Sequence, residues 1–256
     1  EEQCPESSEP ASTEGIKGRV SFEHVKFGYL KDKIIIKDFS CEVDSGMQVA
    51  IVGPTGAGKT TLVKLLMRYY DVNSGSIKID GIDIRDFTRD DLRSQFAMVL
   101  QETWLFNDTI MENIRYGKPD ASDEEVIAAA KTACVDGFVH QLAGGYNMVI
   151  NEEANNISQG QKQLITIARA VLANPPMLIL DEATSSVDTR TESLIQTAMN
   201  NIMKNRTSFV IAHRLSTIRD SDLILVVNDG DIVEKGTHSE LMAMGGFYAE
   251  LYNSQF

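Results

Sequence analysis

The sequence predicts an α/β fold: a core with a mainly parallel sheet and helices on both faces, an N-terminal antiparallel β subdomain, and a helical insertion. Three observations carry this prediction. Apolar strand-like segments alternate with helical segments through most of the chain, as they do in parallel sheets. Several strand-like segments crowd together before the first helix, which favours an antiparallel sheet. From residue 109 to residue 145 helix follows helix with no strand between them, which indicates an insertion.

Composition and charge describe a soluble globular protein that is not expected to bind nucleic acid. The 256 residues suffice for one large α/β domain or two small ones, and 43% are hydrophobic and 24% charged. The formal net charge of −13 repels phosphate backbones. Cys4, Cys41 and Cys134 are too widely spaced for a zinc site or a disulfide framework, so we expect reduced thiols. No signal peptide is recognisable and the apolar runs are too short to cross a bilayer, so work at a membrane would depend on a partner or a segment outside this chain.

The first forty residues contain a linker-like segment and two strands. Residues 1–15 (EEQCPESSEPASTEG) are rich in Glu, Ser and Pro and lack apolar periodicity. We therefore predict a disordered linker or extension there and an ordered domain over residues 16–256. Alternating apolar residues predict a strand over Arg19–Val25 and a second strand region over Ile34–Val43.

The chain is organised around a phosphate-binding loop with the sequence GPTGAGKT. An apolar run over residues 47–52 predicts a buried strand before it, and apolar spacing over residues 61–67 predicts a helix after it, which is the context that such a loop requires. The glycines let the backbone aim its N–H groups at one point, where the helix dipole adds its positive end. We expect Lys59 to reach the β- and γ-phosphates and the Thr60 hydroxyl to bind Mg²⁺. The loop residues are Gly53, Pro54, Thr55, Gly56, Ala57, Gly58, Lys59 and Thr60.

The segment after the first helix leads to a candidate sensor residue. Turn residues and alternation predict a turn, a strand and a turn over Tyr69–Gly81, and Thr88 predicts a capped helix to Arg93. An apolar strand over residues 96–100 ends at Gln101. A lone Gln carries no signal, but its position between core and insertion makes Gln101 a candidate γ-phosphate sensor and hinge.

Two capping boxes mark the helical insertion, which we place at about residues 103–173. The first, over Ser122–Glu125, precedes an apolar helical segment. The second opens a long helix over residues 158–170, with Ser158 as the cap and Gln161 reaching back. A helix N-terminus with Ser158 and Gly160 also suits an anion, and both interpretations can hold together.

A buried strand over residues 177–181 ends in two acids, Asp181 and Glu182. We expect Asp181 to bind Mg²⁺ through water and Glu182 to polarise the attacking water, the alternative being acids that cap the next helix. His213 also follows a strand end, where a lone His is usually structural.

The remaining elements are predicted as a helix over Thr191–Lys204, a strand over Thr207–Ala212, a short helix, strands over Leu223–Val227 and Asp231–Glu234, and a helix over Gly246–Phe256.

Together these motifs make the chain resemble the nucleotide-binding domain of an ATP-binding cassette (ABC) transporter, from about Gly18 to Phe256. The segments DEATSSVD (Asp181–Asp188) and IAHRLSTI (Ile211–Ile218) are specific to that family. The run YYDVNSGSIKIDG and the segment LQETWLFNDTIMENIRYG (Leu100–Gly117) are typical of its exporter branch. The resemblance implies the ABC ATPase fold on a P-loop NTPase core, with ATP and Mg²⁺ as ligands.

The resemblance also implies a role for each matching residue. The matches are Tyr29 for the aromatic that stacks on adenine, Gly53 to Thr61 for Walker A, Gln101 for the Q-loop and a metal contact, Ile157 to Gln161 for the signature, Asp181 and Glu182 for Walker B, Ser185 to Asp188 for the D-loop, and His213 for the switch histidine. In this family two domains sandwich two ATP molecules, each between Walker A of one domain and the signature of the other. The implied partners are therefore a second such domain and the coupling helices of a transmembrane domain, at the cytoplasmic face of the membrane.

The signature region departs from the family pattern at two places. Ile157 and Gln159 replace the Leu and first Gly of Leu-Ser-Gly-Gly-Gln, and Ala154 replaces the Gly of the preceding Glu-Arg-Gly. A weakened signature favours a heterodimer over a homodimer.

Two other functions stay open, a soluble non-transport ABC ATPase and a cassette that holds ATP with little hydrolysis. The single cassette argues against the first, and the presence of both Glu182 and His213 argues against the second.

Overall fold

The computed structural model describes residues 6–30, 33–100, 103–181, 187–212 and 215–255. Within these residues the strands are β1 (Val20–Phe27), β2 (Ile36–Val43), β3 (Gln48–Val52), β4 (Ser74–Ile79), β5 (Ile82–Asp83), β6 (Phe96–Val99), β7 (Met177–Asp181), β8 (Thr207–Ile211), β9 (Leu223–Asn228) and β10 (Asp231–Gly236). The helices are α1 (Lys59–Leu66), α2 (Arg89–Ser94), α3 (Ile110–Arg115), α4 (Asp123–Thr132), α5 (Asp136–Val139), α6 (Gln159–Ala173), α7 (Thr189–Met203), α8 (Leu215–Arg219), α9 (His238–Met244) and α10 (Phe247–Gln255).

The chain divides into two compact units. The first unit contains Glu1–Phe96, Pro176–Glu182 and Asn205–Phe256, and the second contains Ala97–Pro175 and Ala183–Lys204. The predicted boundaries of the linker and of the inserted subdomain stay predictions.

An antiparallel sheet forms the N-terminal part of the first unit, with strand order β2-β1-β4-β5 in the described residues. β1 pairs with β2 from Val20 opposite Val43 to Phe27 opposite Ile36. β1 also pairs with β4, which places Val20 opposite Ile79. Since these four strands precede or directly follow α1 and make only antiparallel pairs, the predicted antiparallel β subdomain is confirmed.

The second sheet has the order β10-β9-β3-β8-β7-β6 in the described part of the chain. β3 is parallel to both β8 and β9, and β7 is parallel to β8, whereas β9 and β10 form an antiparallel hairpin. Residues 49–52 of β3 and 177–180 of β7 are buried apolar runs, as expected for strands covered on both faces. The mainly parallel core is therefore confirmed, and the carboxyl ends of β3, β7 and β8 lie at one edge.

Helices make up most of the second unit, which contains α7 in addition to the helices within the predicted insertion. α6 is its central element and packs against α3, α4 and α7. Both predicted capping boxes are present, at Ser122 with Glu125 and at Ser158 with Gln161. The capped helix predicted after Thr88 is also confirmed in the first unit, where the Thr88 side chain accepts a hydrogen bond from the Asp91 N–H.

Residues 6–19 contain neither a helix nor a strand. They nevertheless make contacts, since the Ala11 N–H donates to the Asp86 carbonyl at 2.8 Å. Among the described residues, no helix is both long and apolar enough to pass through a lipid bilayer. Cys41 and Cys134 are free thiols, and Cys4 lies outside the described residues.

Candidate functional site

The phosphate-binding loop joins β3 to α1, and glycine is required at two of its positions. Gly53 and Gly58 have φ angles of 152° and 107°, which residues with a side chain rarely adopt. A Cβ on Gly53 would lie 2.0 Å from the Val227 carbonyl oxygen, and one on Gly58 would lie 2.9 Å from Ile36 Cδ1. The loop is therefore pressed against β9 on one side and β2 on the other. This close packing fixes the loop backbone.

The N-terminus of α1 is open to a ligand. Its N-cap, Gly58, makes no side-chain capping bond, and the first turn contains no acidic residue. The Ala57 N–H is used within the loop, where it donates to the Pro54 carbonyl at 3.2 Å. Uncapped N–H groups at the positive end of a helix dipole suit phosphate oxygens.

Lys59 lies in the mouth of this loop. Its Nζ donates to the carbonyl oxygens of Gly53 at 2.7 Å and Pro54 at 2.9 Å. Burial lowers the pKa of the Lys59 amine, while the negative charge of Asp181 opposes that shift. A half-buried cation held against loop carbonyls is positioned to meet an anion that enters the loop.

Asp181 lies at the same edge of the sheet as the loop. Asp181 is opposite Ile211 on β8, and Ile211 is opposite Ile51 on β3. Because neighbouring strands are about 4.8 Å apart, Asp181 lies roughly 10 Å from Ile51. Ile51 is two residues before the first residue of the loop, Gly53. In the chain, Glu182 directly follows β7 and His213 lies two residues after the end of β8, but both lie outside the described residues.

The donor set suits Mg²⁺ bound together with a phosphate. No group of three or more His, Cys, Asp or Glu side chains in the described residues could hold a metal ion alone. Mg²⁺, however, is usually held by one or two carboxylates, hydroxyls, water and the oxygens of a bound phosphate. The half-buried Asp181 carboxylate and the exposed Thr60 hydroxyl fit that pattern. Gln101, the third predicted metal contact, lies outside the described part of the chain.

Tyr29 is half-buried in an aromatic cluster beside the loop. Its ring packs edge-on against Phe27 and Tyr70, with centroids 5.0 Å from each. The Phe27 carbonyl accepts a hydrogen bond from the Ile35 N–H at 2.7 Å, and an Ile35 side-chain carbon would lie 3.9 Å from a Cβ on Gly58. The end of β1, and Tyr29 with it, therefore lies near the phosphate-binding loop.

The signature segment opens α6 in the second unit. The Ser158 hydroxyl accepts from the Gln161 N–H at 3.2 Å, and the Gln161 side chain accepts from the Ser158 N–H at 2.9 Å. A Cβ on Gly160 would lie 2.3 Å from Thr191 Cγ2 and 3.0 Å from Val187 Cγ1. Glycine at position 160 is thus explained by close packing against α7, whether or not a ligand binds.

Two of the three residues that depart from the family pattern, Ile157 and Gln159, are accommodated locally, and the third, Ala154, is not. Ile157 is buried, so an apolar residue fits there. Gln159 Nε2 donates to Thr103 Oγ1 at 3.2 Å, which ties the side chain to the second unit itself. Ala154 has a φ of 48°, a conformation that costs a residue with a Cβ more than it costs glycine.

Two residues that sequence reasoning missed hold residues 103–109, which contain Trp104 and belong to the exporter-typical segment Leu100–Gly117. Buried Asn113 donates from Nδ2 to the Phe106 carbonyl at 3.1 Å and to the Thr109 carbonyl at 2.9 Å. Arg169 donates to the Trp104 carbonyl at 2.7 Å, and burial lowers the pKa of its guanidinium to about 10. Trp104 is 66% exposed and packs edge-on against Phe106 with centroids 4.2 Å apart. No local sequence signal reveals these contacts, because Arg169 lies 65 residues from Trp104.

Solved structures and curated proteins similar to this chain agree on one family. A fatty acid ABC transporter ATP-binding/permease protein of Mycobacterium tuberculosis (strain CDC 1551 / Oshkosh) is 58% identical over 96% of this chain and 39% of its own length. An ATP-dependent lipid A-core flippase of Desulfotalea psychrophila is 49% identical over 96% of this chain and 43% of its own length. The structure of a bacterial Atm1-family ABC exporter with ATP bound is 45% identical, has a TM-score of 0.90, and is matched over 99% of this chain and 44% of that one.

This chain spans about two fifths of the length of these relatives. The likeness to the exporter structure confirms the ABC ATPase fold that the sequence predicts. The family described as ABC transporter matches residues 36–185, which is more than half of the chain. The chain therefore belongs to the ABC transporter family.

Proposed function

We propose that this chain is the ATP-binding and ATP-hydrolysing domain of an ABC exporter. The observation that carries the proposal is the arrangement at one edge of the parallel sheet: a closely packed phosphate loop, the half-buried Lys59 amine within it, and Asp181 at the end of a strand in register with the loop strand. The names of the relatives, which include ATP-binding/permease proteins and a flippase, support an export role.

In this proposal the phosphate loop binds ATP and the acids at the strand ends support hydrolysis. The loop N–H groups and Lys59 hold the phosphates, and Thr60 and Asp181 hold Mg²⁺. When bound, Mg²⁺ would neutralise phosphate charge. Glu182 polarises the attacking water, and the γ-phosphate is contacted by Gln101 and His213. Thr61, the last Walker A residue, is buried in the first turn of α1.

The proposed partners are a transmembrane domain and a second nucleotide-binding domain at the cytoplasmic face of the membrane. The exposed Trp104 and its neighbours lie in the segment 102–108 that would face the coupling helices. A soluble ABC ATPase that does not act in transport is the second candidate function. The relatives named above favour the exporter, since their names describe transport or a flippase.

Tyr29 is expected to stack on adenine. Tyr29→Ala should weaken Mg-ATP binding about fivefold, which corresponds to about 1 kcal/mol of aromatic stacking, whereas Tyr29→Trp should retain affinity. Isothermal titration of both variants measures this. Because the ring also packs on Phe27 and Tyr70, thermal unfolding is measured in parallel. An equal loss of affinity in both variants would assign Tyr29 to folding rather than to adenine.

We further propose that this domain works in an asymmetric dimer. Its own Walker A, Glu182 and His213 would form an active site with the signature of a partner, while its altered signature would serve a weaker opposite site. The hydrogen bond from Gln159 to Thr103 supports this, because a side chain that is bonded within the second unit occupies the position where the family has a glycine.

The asymmetric dimer predicts that the chain does not pair with itself. The Glu182→Gln variant is used so that ATP persists, and its sedimentation is measured with and without Mg-ATP. The expected result is a monomer in both conditions. An ATP-dependent homodimer would contradict the proposal and favour a homodimeric exporter.

A further inference from the structure

A buried arginine links the end of α1 to the segment before α2. Arg68 follows α1 closely, has a φ of 49° and is 2% exposed. Its Nε donates to Asp71 Oδ1 at 3.0 Å, and its Nη1 donates to the Phe87 carbonyl at 2.9 Å. The same Nη1 lies within hydrogen-bond distance of the carbonyls of Ile84 and Arg85. Because the Arg68 guanidinium is buried and hydrogen-bonded to Asp71 and to these carbonyls, it fixes the position of residues 84–87 relative to the end of α1.

A second buried arginine extends this link to the N-terminal segment. Arg89, the first residue of α2, is 9% exposed, and its Nη2 donates to Asp71 Oδ2 at 3.4 Å. Glu6 Oε1 accepts a hydrogen bond from the Arg89 backbone N–H at 2.9 Å and lies 3.6 Å from Arg89 Nη1. Asp71 therefore serves two arginines, and Arg89 meets two carboxylates. Charges in such a site depend on each other, because removing one leaves its partner uncompensated away from water.

The N-terminal segment is held at a second point. The Ala11 N–H donates to the Asp86 carbonyl at 2.8 Å. Glu6 opposite Arg89 and Ala11 opposite Asp86 make residues 6–11 run against residues 86–89 in the opposite direction. Residues 6–11 therefore lie beside residues 84–89, and three backbone carbonyls of that stretch face the Arg68 guanidinium.

The network ends where the phosphate-loop helix ends. Arg93 of α2 donates from Nε to the Met67 carbonyl at 3.3 Å and from Nη2 to the Arg68 carbonyl at 3.2 Å. α1 is a single helix of eight residues that starts in the phosphate loop. A ligand bound at the N-terminus of this short helix would therefore be connected to the network through a single helix.

We propose that Glu6 fastens the N-terminal segment, residues 6–16, to the phosphate-loop helix through Arg89, Asp71 and Arg68, so that nucleotide binding and the order of this segment are coupled. The inference rests on the proposed function for the identity of the ligand, Mg-ATP. Any part of a longer polypeptide that precedes residue 6 would be attached through this segment. The coupling therefore provides a route by which nucleotide occupancy affects the chain before the domain.

The test compares Glu6→Gln with Glu9→Gln in the 256-residue chain. Both variants remove one negative charge from the same exposed segment, but the Glu9 carboxylate has no hydrogen bond or ion pair within the described residues. Hydrogen–deuterium exchange of a peptide covering residues 6–16 reports the Ala11 amide. Isothermal titration of each variant with Mg-ATP shows whether nucleotide binds.

Glu6→Gln is expected to speed exchange in this peptide by at least about tenfold, the low end of the range for one hydrogen bond to a charged group, while Glu9→Gln leaves it unchanged. Mg-ATP is expected to slow exchange about twofold or more in the wild type and in Glu9→Gln, but not in Glu6→Gln. If Mg-ATP binds and the peptide responds equally in all three proteins, or in none, the coupling is wrong. If the wild type binds no Mg-ATP, the proposed function fails, while faster exchange in Glu6→Gln alone would still establish the Glu6 contact.

Discussion

Replacing Glu182 with glutamine is expected to slow ATP turnover by about 10²- to 10⁴-fold in the assembled transporter, the range of a general-base contribution. The amide keeps the shape of the side chain but loses the basic oxygen that would polarise water in the proposed mechanism. Affinity for Mg-ATP should stay close to that of the wild type, because in the proposed site the loop and Lys59 hold the phosphates. Steady-state phosphate release and equilibrium nucleotide binding measure the two effects separately.

A matched control for this variant is Glu250→Gln in α10. Glu250 is an exposed glutamate of the first unit, and the same change there should leave turnover unaltered. Turnover of Glu182→Gln within about threefold of the wild type would remove Glu182 from the base role, since general-base catalysis contributes far more.

Replacing Lys59 with alanine is expected to weaken Mg-ATP binding by at least about tenfold, because a charge-assisted hydrogen bond contributes about 1.5–3 kcal/mol. The half-buried amine lies among the loop carbonyls, where phosphate oxygens would replace the carbonyls of Gly53 and Pro54 as its acceptors. Lys64→Ala in the same helix is the control, since Lys64 lies in the last turn, away from the loop. Isothermal titration measures both affinities.

Unchanged affinity in Lys59→Ala would contradict the phosphate-loop assignment. Thermal unfolding is measured alongside, since the variant also loses two bonds within the loop. A similar loss of affinity in Lys64→Ala would point to the stability of α1 rather than to a contact between Lys59 and phosphate.

Local features of the fold could be predicted from the sequence because their causes are local. The caps at Thr88, Ser122 and Ser158 need only a side chain and an N–H three residues later, and all three are present. The same local signal is present at α9, which begins with a capping box between Thr237 and Glu240. The glycines of the phosphate loop likewise predict a backbone conformation with positive φ angles, which residues with a side chain rarely adopt.

Contacts between distant parts of the chain could not be predicted in this way. β3 lies between β8 and β9, which are more than 150 residues further along the chain. The packing of Gly160 against Thr191 and the bond from Gln159 to Thr103 depend on how α6 is placed, which no periodicity encodes. Likewise, the composition of residues 1–15 indicates a linker and gives no hint that Glu6 meets the buried Arg89.

The candidate site was predicted through motifs rather than through geometry. The structure brings the phosphate loop and Asp181 to one sheet edge and locates Tyr29 beside the loop, as the motifs suggest. The roles of Gln101, Glu182 and His213 stay predictions, because these residues lie outside the described part of the chain.

The most direct test of hydrolysis is the identity of the nucleotide bound after a single turnover. The proposed exporter that contains this domain is loaded with radiolabelled ATP and Mg²⁺, separated from free nucleotide, and its bound nucleotide is analysed over time. We predict that ADP accumulates on the wild type, while the Glu182→Gln transporter retains ATP. Intact ATP on both proteins would contradict the account and identify the chain as a cassette that holds ATP without hydrolysing it.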